Sequence, residues 1–251
     1  MNESQHTQER PDDYWLATRR PLNCLLFLLP WIALYEVGVS VLSSENSEQI
    51  RNGADYWLRS LLSVSGLHQA AVLPLSVVAV LLAWHIIRQH PWQIRLETQL
   101  GMLAESLLLA VALVAVGQFH HLLFLKLQVL PSSGVTLSTG NLRHAVTYIG
   151  AGVYEEVLFR LLLVPVAFSS FRLLEFPSSV AAMLAALSTG FIFALAHHVG
   201  PSADAFNLFA FSFRAAAGVF FAGVFFVRGF GITVGCHAGY DLLVGVFLAG
   251  S

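Results

Sequence analysis

The chain has 251 residues, 56% of them hydrophobic and only 11% charged, with a net charge of −2 and a mean hydropathy of +0.69. Soluble domains carry about 25% charged residues, so this composition excludes an ordinary soluble domain, and the near-zero net charge gives no electrostatic footprint for nucleic acid. Cys24 and Cys236 both lie in apolar runs and form neither a disulfide framework nor a metal-type pair. The expected fold class is all-α, a polytopic transmembrane helical bundle of about seven spans with a polar intramembrane cavity.

In chain order, residues 1–21 form a polar N-terminal tail, expected to be mobile. In TRRPLNC the cysteine precedes the apolar run and no small-residue cleavage site ends that run, so it reads as an uncleaved first span. Stretches of about 20 mostly apolar residues mark spans at Leu22–Leu42, Ala70–Ile87, Met102–Leu125, His144–Phe171, Ser179–Val199, Phe206–Val227 and Ile232–Ala249. Between the first two, IRNGADYWLRSLLSVSGL mixes charges with Trp57 and leucines, the pattern of an interfacial amphipathic helix. Residues 22–143 thus hold N-terminal transmembrane helices plus an interfacial segment, and residues 144–251 a C-terminal helical core. No internal repeat stands out. With the N-terminus inside, seven loop arginines fall on the inner side (Arg10, Arg19, Arg20, Arg88, Arg95, Arg172, Arg228). The outer side holds Arg51, Arg59, Lys126 and Arg143, so the bias favours N-in, C-out.

Charges inside spans are costly, at least about 2.5–3.5 kcal/mol each at the bilayer centre, and point to function by default. Here they gather in three places. YEEVLFR supplies Glu155, Glu156 and Arg160; FALAHH supplies His197 and His198; GCHAGYD supplies His237 and Asp241. Glu156 and Arg160 are four apart and share a helix face, which makes a structural ion pair, while Glu155 points about 100° away and is free for chemistry. His237 and Asp241 also share a face. Gly235 and Gly239 flank His237 in a spacing that lets a neighbouring helix approach, and Phe193 lies one turn before His197. The bland reading takes His85, His90, His120, His121 and His144 as interfacial, His198 as a neighbour, Arg214 as a carboxylate partner or a snorkelling side chain, and Cys236 as packing. Convergence favours chemistry: Glu, His and His on three spans, with an Asp behind one His, fit a water-activating site. HExxH and a GxSxG serine elbow are absent, and an aspartyl protease would need a second intramembrane aspartate beside Asp241, whereas the only other candidate in this half, Asp204, sits in a polar loop.

EEVLFR matches EExxxR, Phe193–His197 matches FxxxH, and His237–Asp241 matches HxxxN/D. In this order on successive helices, roughly over Tyr148–Val246, they resemble the CPBP family of intramembrane proteases, which includes the endopeptidases that trim prenylated CAAX proteins and bacterial relatives linked to bacteriocin immunity and peptide maturation. The resemblance implies a CPBP-like catalytic core over 144–251, with a water-filled cavity opening into the membrane. It implies that Glu155 and His197 activate a water for attack on a peptide carbonyl, and that His237 and residue 241 stabilise the oxyanion. Glu156, Arg160 and Phe193 then support the site. Asp241 stands where many relatives have Asn. An ionised Asp cannot donate to an oxyanion, so the expectation is that it orients His237 and keeps it cationic.

The spans as drawn place His197 near the outer end of one helix and His237 near the inner end of another. A shared site needs them within about 15 Å, so the expectation is that HVGPSADAFN dips into the cavity. No metal or other cofactor is expected; the alternative is zinc held by Glu155, His197 and His237 in a site with an open position for water. The expected partners are the lipid bilayer and a membrane protein or peptide substrate, with no nucleic acid. The expected location is multi-pass in a bacterial-type inner or plasma membrane. The alternatives to a protease are a proton-coupled transporter, for which no inverted repeat is visible, and a non-catalytic immunity or scaffold protein.

Overall fold

The computed structural model describes residues 11–42, 51–127, 142–200 and 203–248, and among these it is all-helical with no strand. The helices are α1 (Pro11–Ala17), α2 (Pro21–Leu42), α3 (Gly53–Val64), α4 (Val72–Ile87), α5 (Leu96–Lys126), α6 (Leu142–Gly150), α7 (Val164–Leu173), α8 (Ser178–Ala196), α9 (Leu208–Arg228) and α10 (Phe230–Leu242). Between α6 and α7 the chain stays helical through π-helical turns at Ala151–Glu155 and Val157–Leu163, so one rod runs over 142–173. Another π turn, Leu243–Leu248, extends α10.

Four of these helices, α2, α5, α8 and α9, are long and apolar enough to cross a membrane, which makes the chain a multi-pass membrane protein. The seven expected spans are therefore amended. Ala70–Ile87 holds the 16-residue helix Val72–Ile87, His144–Phe171 is interrupted by π turns, and the apolar segment from Ile232 begins two residues earlier at Phe230. Its expected end, Ala249, lies outside the described residues. Only about a third or less of the apolar window is buried in α2, α5 and α9, because such helices turn most of their surface to lipid. In α10, by contrast, every residue from Phe230 to Gly239 is buried. It is the central helix, packed on α5, α2, α9, α6 and the first π turn.

Close packing around α10 depends on small residues, as expected where lipid offers no hydrophobic drive for helix association. A Cβ on Gly235 would stand 2.6 Å from Ser106 Oγ on α5, and Ala110 on the same helix faces Gly239. Gly152, in the first π turn, lies against the backbone of Ala238, the residue after His237.

The expected mobile tail is amended too. Residues 1–10 lie outside the described residues, but α1 is helical and docked. Tyr14 Oη donates to Glu105 Oε2 at 3.0 Å, the Arg228 guanidinium lies 3.5 Å over the Trp15 ring, and Arg228 is ion-paired with Glu105. The amphipathic segment before α4 forms α3, as expected, with its N-terminus capped by the Asn52 side chain, which accepts from Asp55 N. Of the histidines expected at interfaces, His85 is instead fully buried beside Trp92, and His120 shares a hydrogen bond with Ser212.

The contact at Gly152 is testable. Gly152→Ala places a Cβ 2.6 Å from the Ala238 backbone nitrogen and should destabilise the bundle by about 1–3 kcal/mol. Thermal unfolding in detergent is compared with Gly223→Ala, whose Cβ meets nothing within 4 Å. Equal midpoints for the two variants would contradict the close approach.

Candidate active site

The three polar groups of the sequence come together at one place. Glu155 lies in the first π turn, Glu156 between the two π turns, His197 caps the C-terminus of α8 and His237 lies within α10. Glu155 Oε2 is 3.9 Å from His197 Nε2 and 3.9 Å from His237 Nε2. The two histidines are thus neighbours of one carboxylate, well inside the separation that a shared site requires. α8 stops at Ala196 instead of continuing to Val199. The chain then folds back: Asp204 N donates to His197 O at 2.9 Å, and His198 Nδ1 meets Asp204 O at 2.9 Å. Residues 201 and 202 of the expected dipping segment lie outside the described residues. Asp204 also receives Arg214 Nη2 at 2.5 Å, which supplies the carboxylate partner expected for that arginine.

The adjacent glutamates occupy different surroundings. Glu156 is fully buried, and its Oε1 forms an ion pair with Arg160 Nη1 at 3.0 Å and a hydrogen bond with His237 Nδ1 at 2.7 Å. The spacing alone points to the pair with Arg160; it does not point to the bond with His237, which crosses between helices. Asp241 Oδ2 is 3.5 Å from His237 Nε2, on the same side of the ring as Glu155. The short bond that orients His237 therefore comes from Glu156, while the expectation gave that task to Asp241.

Aromatic rings enclose this cluster. Phe221 stacks on His237 with ring centroids 4.4 Å apart, and Phe193 meets His197 edge-on at 4.8 Å. The Arg160 guanidinium lies 4.6 Å from the Phe193 ring centre and 5.2 Å from that of Phe221, and its Nη2 donates to Gly218 O at 3.2 Å. Cation–π contact and a backbone acceptor together hold a charge that is only 1% exposed. His197 Nδ1 lies 2.8 Å from Phe193 O. A carbonyl only accepts, so Nδ1 carries the proton and Nε2 is the nitrogen turned to Glu155.

Glu155 and His197 border a cavity of about 340 Å³. It is also lined by Arg51 and Asn52, just before α3, and by Gly53, Ala54, Tyr56 and Trp57 from the start of α3. No sequence motif marks that lining.

Residues 137–243 match the family model described as type II CAAX prenyl endopeptidase Rce1-like. This match is consistent with the CPBP resemblance of its motifs. No match is found among curated proteins or among solved structures. The Rce1-like match covers Glu155, Glu156, Arg160, Phe193, His197, His237 and Asp241 and implies an intramembrane protease. As for zinc, no group of three or more His, Cys, Asp or Glu side chains able to hold a metal ion occurs among the described residues.

The clasp makes a sharp stability prediction. Glu156→Gln leaves Arg160 buried without its counter-charge, which should cost about 3–5 kcal/mol. Glu156→Gln/Arg160→Met should recover much of the loss in detergent unfolding. A single variant as stable as wild type would show that Arg160 does not depend on Glu156.

Proposed function

We propose that this protein is an intramembrane endopeptidase, cleaving a membrane-associated or membrane-spanning protein or peptide with a water activated by Glu155. The observation that carries this reading is the single Glu155 oxygen 3.9 Å from the Nε2 atoms of both histidines, at the wall of a cavity. A separation of 3.9 Å is too long for a direct hydrogen bond and suits two groups that share one water. Glu155 takes a proton from the water as its oxygen attacks the peptide carbonyl, with His197 Nε2 as the second acceptor that orients it. The carbonyl oxygen becomes an oxyanion facing His237 Nε2. The proton held by Glu155 passes to the leaving nitrogen as the C–N bond breaks.

His237 is suited to donate to that oxyanion. Glu156 accepts at Nδ1 and the Asp241 carboxylate lies 3.5 Å from Nε2, and a ring set between two carboxylates is favoured as the imidazolium. Donors aimed at a developing oxyanion contribute about 2.7–4 kcal/mol each. In this scheme Asp241 favours the charged ring before substrate arrives, and the oxyanion takes its place beside Nε2. That makes an aspartate workable where relatives carry Asn.

On this reading the three shorter or π-widened apolar segments complete a seven-span bundle with the N-terminus inside, and the cavity carries water to the site. The membrane is a bacterial-type inner or plasma membrane. The family description names CAAX prenyl endopeptidases, which makes a lipidated C-terminal segment the first substrate to try, alongside a sorting segment or a peptide precursor.

The test compares cells with wild type and Glu155→Gln at matched expression, mapping peptide termini of membrane and secreted proteins by mass spectrometry. A small set of termini present only with wild type is expected, and it identifies the substrates. Identical maps would move the transporter and scaffold alternatives ahead. For the purified protein, cleavage is expected to survive exhaustive chelation; its loss, restored by added zinc, would replace the glutamate mechanism by the zinc one.

A further inference from the structure

We infer that Glu36 is a positioning residue for Glu155, acting through Tyr154; this rests on the protease reading of the same site. Glu36 belongs to α2, far from the matched region in sequence. Its Oε1 accepts the Tyr154 hydroxyl at 2.6 Å and Arg59 Nη2 at 2.8 Å. Arg59 Nε and Arg51 Nη1 close on the two oxygens of Asp55 at 2.6 and 2.8 Å, and Arg51 Nη2 reaches Glu36 Oε2 at 3.5 Å. Tyr35 Oη donates to Asp55 Oδ2 at 3.0 Å, and the Tyr35 ring meets the Tyr154 ring edge-on at 5.4 Å. Two carboxylates and two guanidiniums cancel, so the network is neutral. Tyr35, Asp55 and Tyr154 are fully buried.

Tyr154 immediately precedes Glu155. Within a π turn the backbone lacks the regular α-helical ladder, so the direction of Glu155 depends on what fixes its neighbours. Gly152 against Ala238 fixes one side; the Tyr154 hydroxyl on Glu36 fixes the other. The pairs of Glu36 with Arg51 and Arg59, and the bond of Tyr35 to Asp55, dock α3 and the residues just before it onto α2, and this segment lines the same cavity. One network therefore sets both the catalytic carboxylate and this part of the lining. Catalysis is sensitive to displacements of about 1 Å, which can cost about 100-fold in rate.

The test uses the full-length protein in detergent and a substrate whose terminus depends on Glu155. Tyr154→Phe, Glu36→Gln, Glu36→Ala and the double variants are compared for kcat, KM and thermal midpoint. Tyr154→Phe should lower kcat about 10–100-fold with KM and midpoint nearly unchanged, since Glu36 keeps Arg59. Glu36→Gln retains an acceptor for the tyrosine and should lie closer to wild type than Glu36→Ala. Adding Tyr154→Phe to Glu36→Ala should slow the reaction little further, because the two residues act as a unit. Independent, multiplying effects on kcat overturn the inference, as does a fall in stability with kcat per folded molecule unchanged. If Glu36→Ala does not fold, the cycle is closed with Glu36→Gln. Amide exchange over residues 151–163 supplies a readout that needs no substrate: faster exchange in Tyr154→Phe is expected, and unchanged exchange overturns the inference. Absence of any Glu155-dependent terminus would instead count against the protease reading.

Discussion

Everything at the centre of this molecule depends on one buried oxygen, Oε1 of Glu156, shared between Arg160 on its own rod and His237 on α10. A carboxylate removed from water costs several kcal/mol unless it is paired and hydrogen-bonded. Satisfying it requires α10 to lie against the π turns, which Gly152 permits by letting the Ala238 backbone come close. It also requires Arg160 to be housed, and the arginine needs Phe193 from α8 with Phe221 and the Gly218 carbonyl from α9. Four helical segments are thus brought into register by a single charge. The alternative for each is a stranded ion in a medium without water.

That arrangement explains how two adjacent glutamates do different work. Glu156 has no exposed surface and both charged neighbours; the Glu155 side chain keeps 14% exposure and borders the cavity. Two carboxylates placed in unlike surroundings are a recurrent way to separate a structural charge from a reactive one. The π turns on either side of Glu156 belong to the same logic. Such turns sit often at functional sites, and here they allow consecutive residues to face separate helices: Tyr154 towards α2, Glu155 towards His197, Glu156 towards α10.

Much of the helical core is legible in the sequence because its signals are local. Apolar runs mark α2, α5, α8 and α9 to within a few residues, and the i, i+4 spacing of Glu156 and Arg160 is enough to imply their pairing. The features that sequence does not reveal share a physical cause, which is that they arise between elements. Hydropathy carries the span of α8 through Val199, whereas the chain turns after Ala196 so that Asp204 can bond His197. Spacing assigns Asp241 to His237 because both lie on one helix, but the shorter bond comes from a residue 81 positions away. Polarity makes the stretch at 11–17 look like tail, and only the Arg228–Glu105 pair shows why Tyr14 and Trp15 dock.

The N-terminal half raises the question of why a core with its own motifs is joined to four charged residues from elsewhere. The cavity supplies the answer. Part of its lining is Glu155 and His197; another part, from Arg51 to Trp57, is the start of α3 and the two residues before it. A purely apolar helix there would slide or rotate freely, since lipid competes equally for its surface. The ion pairs of Glu36 and Asp55 with Arg51 and Arg59 are directional, and in low-dielectric surroundings they strengthen each other while fully satisfied. The pairs of Glu36 tie the α3 segment to α2, those of Asp55 brace it from within, and Tyr154 ties that same frame to the residue beside Glu155. A motif-bearing core can place reactive groups on three helices, but it takes a partner held by specific bonds to give those groups a defined face across which a peptide can lie.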